Sequence, residues 1–578
     1  MKRFIACFAA LCAIALGALS FTATDAAVAA EAAAATAAGG AGVKAPALKY
    51  SQKGTFDHWA EDTYSVTPVV ADLDGDGAKE IVIASYTISV LDAATGKLKW
   101  RVNSGKDITS AFVEVGGGNG AMFADIEVAD IDADGSPDIV TAHSGGCISA
   151  LDGSGRFKPG WPQYVPGVPN ALEVADLDLD KTMEIVVGIG KADPLTAWVY
   201  EHDGSVRKGW PQLDASQRDG VWSDGVFADS ISVGDIAGDG KLEILVPCDN
   251  PFMMVYSDSG KLVKANQKTY PGLFWAQIPF YESYRAERKR ENGGWGSTSG
   301  SMASKTRADL YRAQLGHAGT TLADLDGDGK NEVLVVAIMA DRTEETLRPN
   351  PTYPPTLFMT LFVRNGDGTR WTNRAKGYDW QEIPKDLGEP LIQSHEMLSC
   401  RVRTSPTVSD LDGDGDPEIL FPSYNGKLHC FSLDKTEHGS WPFAVTAAGS
   451  AGSASSPDAN GSNGSSGSSG SSDSAGPSLF EYASRPVAAD LDGDGKKEVI
   501  FTSWYDHTLD ISGKNAHLYV VGADGKLLHK IELPPAKESE LNNGGMAQPV
   551  LADIDGDGLQ ELIVNTTFGG VCAYDLGA

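Results

Sequence analysis

The chain has 578 residues and a formal net charge of −31 at pH 7, with 47 Lys and Arg against 78 Asp and Glu. This balance argues against double-stranded nucleic acid as a partner, because affinity for a phosphate backbone requires a basic surface. Much of the acid excess lies in short repeated loops, so neither an acidic tail nor a basic partner is needed to explain it.

The N-terminal segment has the layout of a secretory signal. Met1-Lys2-Arg3 is basic, residues 4–21 are apolar, and Ala27-Val28-Ala29 supplies small residues before a cleavage point. We expect a signal peptide over residues 1–29 and a secreted protein, extracellular or at the cell surface, with the periplasm as the alternative. An uncleaved N-terminal membrane anchor is the competing interpretation. Residues 30–45 predict a flexible Ala/Gly-rich segment, and no later segment is apolar enough to predict an integral membrane span.

After residue 45 one acidic phrase recurs. Its fullest copy, Asp72-Leu73-Asp74-Gly75-Asp76-Gly77-Ala78-Lys79-Glu80, is followed by the apolar run Ile81-Val82-Ile83. Recurrence at intervals of 46 to 89 residues predicts an array of like structural units. The other copies begin at Asp130, Asp176, Asp235, Asp324, Asp410, Asp490 and Asp553.

The phrase has the chemistry of a calcium loop. Calcium takes six to eight oxygen ligands, and carboxylates on alternate residues of a tight turn can converge on one point. An EF-hand is excluded, because its twelfth place needs a bidentate Glu and this loop has Ile83 there. Magnesium is less suitable, because it resists replacing so many of its waters. We expect about six structural Ca²⁺ sites, each with carboxylates from the first, third, fifth and ninth places and a backbone carbonyl from the seventh.

Six copies are intact and two are damaged. The third copy has Lys181 in place of the second Gly, and the fourth has Ala237 in place of the second Asp, so we expect weak or empty sites there. The predicted ligands of the intact copies are Asp72, Asp74, Asp76, Ala78, Glu80, Asp130, Asp132, Asp134, Ser136, Asp138, Asp324, Asp326, Asp328, Lys330, Glu332, Asp410, Asp412, Asp414, Asp416, Glu418, Asp490, Asp492, Asp494, Lys496, Glu498, Asp553, Asp555, Asp557, Leu559 and Glu561. Those of the damaged copies are Asp176, Asp178, Asp180, Glu184, Asp235, Asp239 and Glu243.

Each phrase lies between predicted strands. One apolar strand enters the loop, a second leaves it, a third ends in a hairpin such as Asp203-Gly204, and a fourth often carries Trp, as at Trp161. Four strands per unit predict propeller blades, so we expect an all-β fold with an eight-bladed β-propeller over residues 46–578. The last repeat stops after its third strand, while Ala47-Leu48-Lys49-Tyr50 resembles Lys97-Leu98-Lys99-Trp100. We expect the N-terminal strand to complete the last four-stranded blade and close the ring.

The phrase and its strand context resemble the FG-GAP, or VCBS, repeats of integrin α subunits and of many secreted bacterial proteins. The resemblance covers nearly all of the chain after residue 45. It implies a calcium-bearing β-propeller with the metal ions on one rim and the ligand on the opposite face. Integrin propellers have seven blades, whereas the eight phrases of this chain predict eight.

Three segments interrupt the repeats. Residues 447–478 are Gly/Ser-rich and predict a disordered loop. Residues 261–316 and 341–400 are long inserts, and long loops on a rigid scaffold often carry function. The first of these inserts mixes basic and aromatic residues, which predicts either a solvated helix with balancing Glu residues or a site for an acidic glycan or anionic peptide.

The residues at the start of the innermost strands are expected to ring the mouth of the central channel. A polar set with both charge signs suits a sugar or a peptide, and a wet channel mouth without a ligand is the alternative. The set is Thr67, Asp125, Asn170, Asp229, His317, Arg403, Arg485 and Gln548, of which we predict that Asp229, His317, Arg403, Arg485 and Gln548 bind ligand.

No catalytic constellation stands out, since the sequence has no nucleophile elbow, zinc-protease helix or phosphate loop. Residues 310–317 resemble a stretch of the rhamnogalacturonan lyases that use an eight-bladed, calcium-bearing propeller. That resemblance implies that His317 with Arg403 or Arg485 abstracts a proton beside a uronate carboxylate. The match ends at Ala318-Gly319, and the N-terminal β-sandwich of those enzymes is absent from this sequence.

We therefore predict a calcium-stabilised, monomeric binding or adhesion module for a glycan or protein at the cell surface, rather than an enzyme. A calcium-dependent polysaccharide lyase and a scaffold of a surface assembly are the alternatives. Five cysteines follow the predicted signal, and this odd number argues against a full disulfide framework. Cys147, Cys430 and Cys572 occupy similar strand positions, which predicts small buried apolar residues.

Overall fold

The structure is a computed structural model of the chain. It describes residues 42–52, 66–84, 87–103, 124–190, 195–213, 225–226, 230–247, 252–263, 275–277, 311–314, 319–341, 356–369, 371–373, 376, 378–379, 391–394, 405–445, 481–505, 515–535, 544–566 and 570–577. The predicted signal peptide, the Gly/Ser-rich loop at 447–478 and the predicted ligand residues Asp229, His317 and Arg403 lie outside these ranges.

The regular structure consists of short strands. In the first half of the chain they are β1 (Ala47–Gln52), β2 (Val69–Ala71), β3 (Glu80–Ala84), β4 (Thr87–Asp92), β5 (Leu98–Asn103), β6 (Glu127–Ala129), β7 (Asp138–His143), β8 (Cys147–Leu151), β9 (Gln163–Tyr164), β10 (Val168–Ala175), β11 (Glu184–Gly190), β12 (Leu195–Tyr200), β13 (Gln212–Leu213), β14 (Ser232–Gly234), β15 (Glu243–Pro247), β16 (Phe252–Ser257) and β17 (Ala276–Gln277). In the second half they are β18 (Tyr311–Gln314), β19 (Thr320–Ala323), β20 (Glu332–Asp341), β21 (Thr356–Arg364), β22 (Thr372–Asn373), β23 (Tyr378–Asp379), β24 (Leu391–Ser394), β25 (Thr407–Ser409), β26 (Glu418–Ser423), β27 (Lys427–Phe431), β28 (Phe443–Ala444), β29 (Glu481–Ala483), β30 (Val487–Ala489), β31 (Glu498–Tyr505), β32 (His517–Val521), β33 (Leu527–Glu532), β34 (Val550–Ala552), β35 (Glu561–Thr566) and β36 (Gly570–Asp575).

These strands form eight blade sheets, each built as an antiparallel meander. Blades 1 to 4 follow the orders β2-β3-β4-β5, β6-β7-β8-β9, β10-β11-β12-β13 and β14-β15-β16-β17. Blade 5 is β18 and β19 on β20, then β21 and β24; blade 6 is β25-β26-β27-β28; blade 7 is β29 and β30 on β31, then β32 and β33; blade 8 is β34-β35-β36-β1. The strands β22 and β23 form a separate ribbon, and no helix occurs in the described ranges. The prediction of an all-β, eight-bladed propeller is thereby confirmed.

The hydrophobic core lies between neighbouring blades, because each sheet has apolar residues on both faces. One cluster joins Val186 and Val199 of blade 3 to Ile244 and Tyr256 of blade 4, and all four side chains are at most 1% exposed. Similar clusters join blades 1 and 2, 2 and 3, 6 and 7, and 7 and 8. Strands buried on both faces explain why the runs after each acidic phrase are continuously apolar rather than alternating.

An aromatic or His side chain of the fourth strand, or of the segment just before it, reaches a backbone oxygen of the next blade at seven boundaries. The Trp161 indole donates its Nε1–H to His202 O at 2.8 Å, and four other Trp indoles make the equivalent bond at the boundaries between blades 1 and 2, 3 and 4, 4 and 5, and 6 and 7. These bonds are Trp100 to Gly153 O (3.1 Å), Trp210 to Asp258 O (2.9 Å), Trp275 to Gly366 O (3.1 Å) and Trp441 to Ala523 O (3.0 Å), with His529 Nε2 on Val43 O (2.8 Å) and Tyr50 OH on Ala93 O (2.5 Å) at the last two boundaries. The sequence analysis predicted Trp on the fourth strand but not this role between blades.

The N-terminal strand lies in the last sheet. β1 pairs antiparallel with β36, from Ala47 opposite Asp575 to Gln52 opposite Val571, with a bulge at Lys49. Blade 8 also packs against blade 1 through a shared apolar cluster that includes Ile81 and Ile563. The N-terminal and C-terminal strands therefore share one sheet.

Within the described ranges, no helix is long and apolar enough to cross a membrane. Cys147, Cys430 and Cys572 are buried and form no disulfide among the described residues, as the sequence predicted. Burial raises the pKa of the Cys572 thiol to about 11, which keeps this thiol protonated and therefore unreactive as a nucleophile at neutral pH.

Candidate metal centres

Each acidic loop joins the innermost strand of a blade to its second strand. In blade 1, Asp72 accepts hydrogen bonds from the backbone N–H groups of Gly75 at 2.7 Å and Gly77 at 3.0 Å. Both glycines have positive φ, 72° and 87°, and this left-handed backbone turns the two N–H groups toward one carboxylate. The same pair of bonds recurs in the loops that begin at Asp324, Asp410, Asp490 and Asp553.

The ninth-place acid closes each loop from the second strand. Glu80 begins β3 opposite Ala71, its residue is 2% exposed, and its Oε2 accepts the N–H of Leu73 at 2.8 Å. The Leu73 side chain is itself buried, so an apolar anchor and a charge-assisted hydrogen bond fix the loop together. Equivalent bonds occur in the other seven copies at 2.8 to 3.4 Å.

Three carboxylates converge in each of several loops. One oxygen of each residue lies within 4.8 Å of an oxygen of the other two, which is an all-oxygen donor set that suits a hard divalent cation. In the second loop the Asp132 Oδ1 atom is buried and accepts no hydrogen bond, so this oxygen is available to a cation. The groups include Asp72, Asp74 and Glu80; Asp130, Asp132 and Asp138; Asp176, Asp178 and Glu184; Asp324, Asp326 and Glu332; and Asp410, Asp412 and Glu418. These residues could hold metal ions, whereas the fifth-place carboxylates and seventh-place carbonyls stay predicted ligands.

The electrostatics of these loops resist full ionisation without a cation. Burial raises the pKa of Glu332 to about 8, and the negative charges of Asp326, Asp324 and Asp328 raise it further. The hydrogen bond from the Leu325 N–H has the opposite effect and lowers this pKa. Burial raises the pKa of both Glu418 and Glu498 to about 7 for the same reasons. A divalent cation would relieve this repulsion, since an opposite charge within a few ångströms favours the carboxylate form.

The two damaged copies keep their backbone shape. Lys181 adopts a positive φ of 84° and still donates its N–H to Asp176 at 2.9 Å, so the loop closes without the missing Gly. An L-residue in this region costs roughly 1–2 kcal/mol. In the fourth loop Asp235 accepts the N–H groups of Asp239 and Gly240, but Ala237 offers no third-place carboxylate. The third loop, for which Lys181 predicted a weak or empty site, thus still brings Asp176, Asp178 and Glu184 together.

Four cations that were not predicted from the sequence lie on the fourth strands or in the segments just before them. In blade 1 the Lys99 Nζ lies 2.9 Å from Asp74 and 2.6 Å from Glu80. Lys158 makes the same contacts in blade 2, Arg207 in blade 3 and Lys49 in blade 8. The likeness of the two segments around Lys49 and Lys99 carried this signal, but only the folded sheet shows that both lysines meet an acidic loop.

The predicted channel-mouth residues join neighbouring blades where the structure describes them. The Gln548 side chain donates to Pro486 O at 2.9 Å, and Thr407 donates to the same oxygen at 3.0 Å, so blades 6, 7 and 8 meet at Pro486. Asn170 likewise donates to Val226 O at 2.7 Å. Arg485, next to Pro486, has a buried Nε atom that finds no hydrogen-bond partner among the described residues. The structure therefore places Arg485 and Gln548 close together, and their role in ligand binding stays a prediction.

Sequence comparison identifies the repeats. A family model described as the FG-GAP-like repeat matches residues 72–141, 130–187 and 490–564, which contain copies of the acidic phrase. No curated protein matches the sequence.

Solved structures give more distant similarities. Sqt1 of Saccharomyces cerevisiae is 9% identical with a TM-score of 0.45, over 92% of this chain and all of that chain. The computationally designed Ika8 protein is 10% identical with a TM-score of 0.41, over 91% of this chain and 99% of that one. BamB from Moraxella catarrhalis is 9% identical with a TM-score of 0.37, over 88% and 97% of the two chains.

Proposed function

We propose that this chain, which carries FG-GAP-like repeats in a β-propeller fold, is a secreted, calcium-stabilised module that binds a glycan or protein ligand at the cell surface. On this proposal the propeller is a binding or structural module. The acidic loops stabilise its blades and do not form a catalytic centre. Calcium is the chosen ion because the donors are all oxygen and the predicted coordination number is high.

One observation carries the calcium proposal: in each acid group a buried ninth-place carboxylate lies close to two Asp carboxylates of like charge. Glu332 at 5% exposure sits within 4.8 Å of Asp324 and Asp326 oxygens. The ninth-place acid starts the second strand and the first-place acid ends the innermost one. A bound cation would therefore tie these two strands together at the rim of each blade.

The test of this step is a metal titration of the full mature chain. Calcium-free protein should bind several Ca²⁺ ions by calorimetry, and its melting temperature should rise markedly with calcium, because a ligand of the folded state stabilises it by mass action. An unchanged melting curve in excess chelator, together with no heat of binding, would refute the structural role of calcium.

The ligand proposal is supported by the scaffold and by the position of its interruptions. The predicted inserts at 261–316 and 341–400 contribute β17, β18, β21 and β24 to blades 4 and 5, and the long connections between these strands are common places for recognition. A glycan and protein binding screen, run with and without calcium, tests it directly. A blank glycan array with a co-purified partner would favour a scaffold. Cleavage of a uronate polysaccharide that is lost in His317→Ala would favour the lyase.

We also infer that pairing of β1 with β36 is what closes the ring. Three contacts support this inference: the β1–β36 ladder, the Tyr50 hydroxyl on Ala93 O of blade 1, and the apolar cluster shared by blades 8 and 1. Closure in this way covers the outer edge of the last sheet, which would otherwise offer unpaired backbone groups.

A further inference from the structure

One position, on the fourth strand or in the segment just before it, contacts the acidic loop in blades 1, 2, 3, 6 and 8. In blades 1, 7 and 8 it is a bulge residue, at Lys99, Leu528 and Lys49 respectively. In blades 2 and 3 its N–H donates to the third strand, from Lys158 to Ala150 O at 2.9 Å and from Arg207 to Val199 O at 2.8 Å. We call it the loop-facing position. Its occupant is a Lys or Arg in blades 1, 2, 3 and 8, His438 in blade 6, and an apolar residue at the equivalent backbone position in blades 4, 5 and 7.

Where the occupant is Lys, its ammonium group lies on the carboxylates that would bind metal. Lys158 is the most engaged, at 2.7 Å from Asp132, 3.2 Å from Asp134 and 3.1 Å from Asp138, with 10% of its side chain exposed. Lys49 contacts Asp555 at 2.5 Å and Glu561 at 3.0 Å. In these loops the Lys ammonium group already balances part of the carboxylate charge in the absence of a metal ion.

Arg207 fills the third loop more completely. Its guanidinium contacts Asp178 at 2.9 Å, Glu184 at 3.0 Å and Glu201 at 3.1 Å, with 8% of its side chain exposed. A guanidinium stays charged at every physiological pH and can satisfy several carboxylates at once. The third loop is therefore already held by an organic cation.

Blade 7 shows the opposite arrangement. Its loop has the full set of acids from Asp490 to Glu498, while the loop-facing residue is the exposed Leu528. Among the residues that the structure covers, no Lys, Arg or His forms an ion pair with these acids. Blades 5 and 6 are less simple. Lys376, between β22 and β23, bonds Asp416 of the blade 6 loop and also interacts electrostatically with Asp326 of the blade 5 loop. In blade 6, His438 also lies 3.6 Å from Glu418. Blade 4 has lost both partners, with Ala237 in the loop and Val263 at the loop-facing position.

We propose that the loop-facing residue ranks the loops for metal binding: the open loop of blade 7 binds calcium first, the lysine-held loops bind it more weakly, and Arg207 replaces the metal in blade 3. This inference rests on the proposed calcium binding and adds an order to it. The physical reason is competition, because a cation that enters a lysine-held loop must displace the ammonium group or sit beside a like charge. A graded set of sites lets the ring hold its shape at low calcium and stiffen as calcium rises.

The experiment uses calcium titration of the full mature chain and three variants, by calorimetry with a competing chelator. Leu528→Lys should remove one tight site or weaken it by roughly tenfold. Leu527→Lys is the matched control, because this neighbour is equally exposed, at 47% against 41%, but lies beside the bulge rather than in it. Lys99→Met should strengthen one weak site by roughly tenfold.

A melting experiment in excess chelator separates this effect from misfolding. Leu528→Lys should melt at or above the wild-type temperature without calcium and gain less when calcium is added. Lys99→Met should melt below wild type without calcium and recover with calcium. Equal calcium affinity for wild type, Leu528→Lys and Leu527→Lys would overturn the ranking. Wild-type protein that binds no calcium would instead overturn the proposed function, so the two failures are distinguishable.

Discussion

The Trp161 indole nitrogen lies 2.8 Å from the carbonyl oxygen of His202, across the boundary between blades 2 and 3. The ring also packs against Tyr200 of blade 3, with 5.9 Å between ring centroids. Trp161, just before the fourth strand of blade 2, thus joins its blade to the next through both a hydrogen bond and a ring contact. Because the bond recurs around the ring, the blades are joined at their outer edges as well as through their apolar faces.

Trp161→Phe is expected to destabilise the protein by about 1 kcal/mol, because it removes the N–H donor and leaves most of the ring contact. Trp161→Ala is expected to cost about 3–5 kcal/mol, since it also opens a cavity. Chemical denaturation measures both values. Trp198→Phe is the control, because the Trp198 indole donates only to Leu195 O within its own strand, at 3.2 Å. A larger effect at Trp198 than at Trp161 would contradict a fastening role between blades.

Glu332→Gln is expected to separate the two roles of the ninth-place acid. Gln keeps an acceptor for the Leu325 N–H, now at 2.9 Å, but removes a carboxylate whose pKa burial raises to about 8. The variant should therefore melt at or above the wild-type temperature in chelator and below it in calcium. Differential scanning fluorimetry in both buffers measures the crossing.

A control for that crossing is Asp367→Asn, in the hairpin turn of the same blade, where Asp367 accepts the Thr369 N–H at 2.9 Å outside the acid group. Its melting curves should shift equally in chelator and in calcium. Identical behaviour of the two variants would show that the crossing has nothing to do with metal.

Removal of the N-terminal strand is expected to expose β36 as an open edge. A chain that starts at residue 66 should lose cooperative unfolding or self-associate, since unpaired strand edges pair with other chains. Light scattering after size exclusion and a melting curve test this expectation. Leu48→Ser is the control, because Leu48 is 48% exposed and surface changes usually stay within about 0.5 kcal/mol. A truncated chain that is monodisperse and equally stable would argue against closure by β1.

Acid should destabilise the ring through His143. This residue is 2% exposed at the end of β7, neither ring nitrogen has a hydrogen-bond partner, and burial lowers its pKa to about 4. The folded state therefore holds fewer protons on His143 than the unfolded state, whose pKa is near 6.5. The contribution of His143 to the free energy of unfolding is therefore fully present above pH 6.5 and is lost as the pH falls toward 4. The loss is on the order of 3 kcal/mol.

The matched measurement is the difference between wild type and His143→Leu in unfolding free energy from pH 7.5 down to pH 4.5, a window set by the usual histidine pKa. The carboxylates of the loops titrate in both proteins, so their contribution cancels. We expect the variant to lose less stability on acidification than wild type. Parallel curves would exclude His143 as a source of acid sensitivity.

Local patterns in the sequence were sufficient for the repeat, its blades and its acidic loops. Alternate carboxylates followed by Gly fix a turn through bonds within nine residues, as the Asp72 contacts show, and β-branched runs on both sides fix the strands. These features depend on neighbours in the chain, so they can be read without the fold. The likeness of the segments around Lys49 and Lys99 likewise placed the first strand in the last sheet.

Contacts between distant segments were decided only by the tertiary structure. The partners of Trp161, Gln548 and Lys49 lie 41, 62 and at least 506 residues away along the chain. The sequence marked Lys181 as damage to the third loop, but it could not show that Arg207 holds the same carboxylates, because that depends on the register of the outer strand. The chain by itself determined which loops have the ligands for a metal, and the sheet geometry decided which of them already contain a cation of their own.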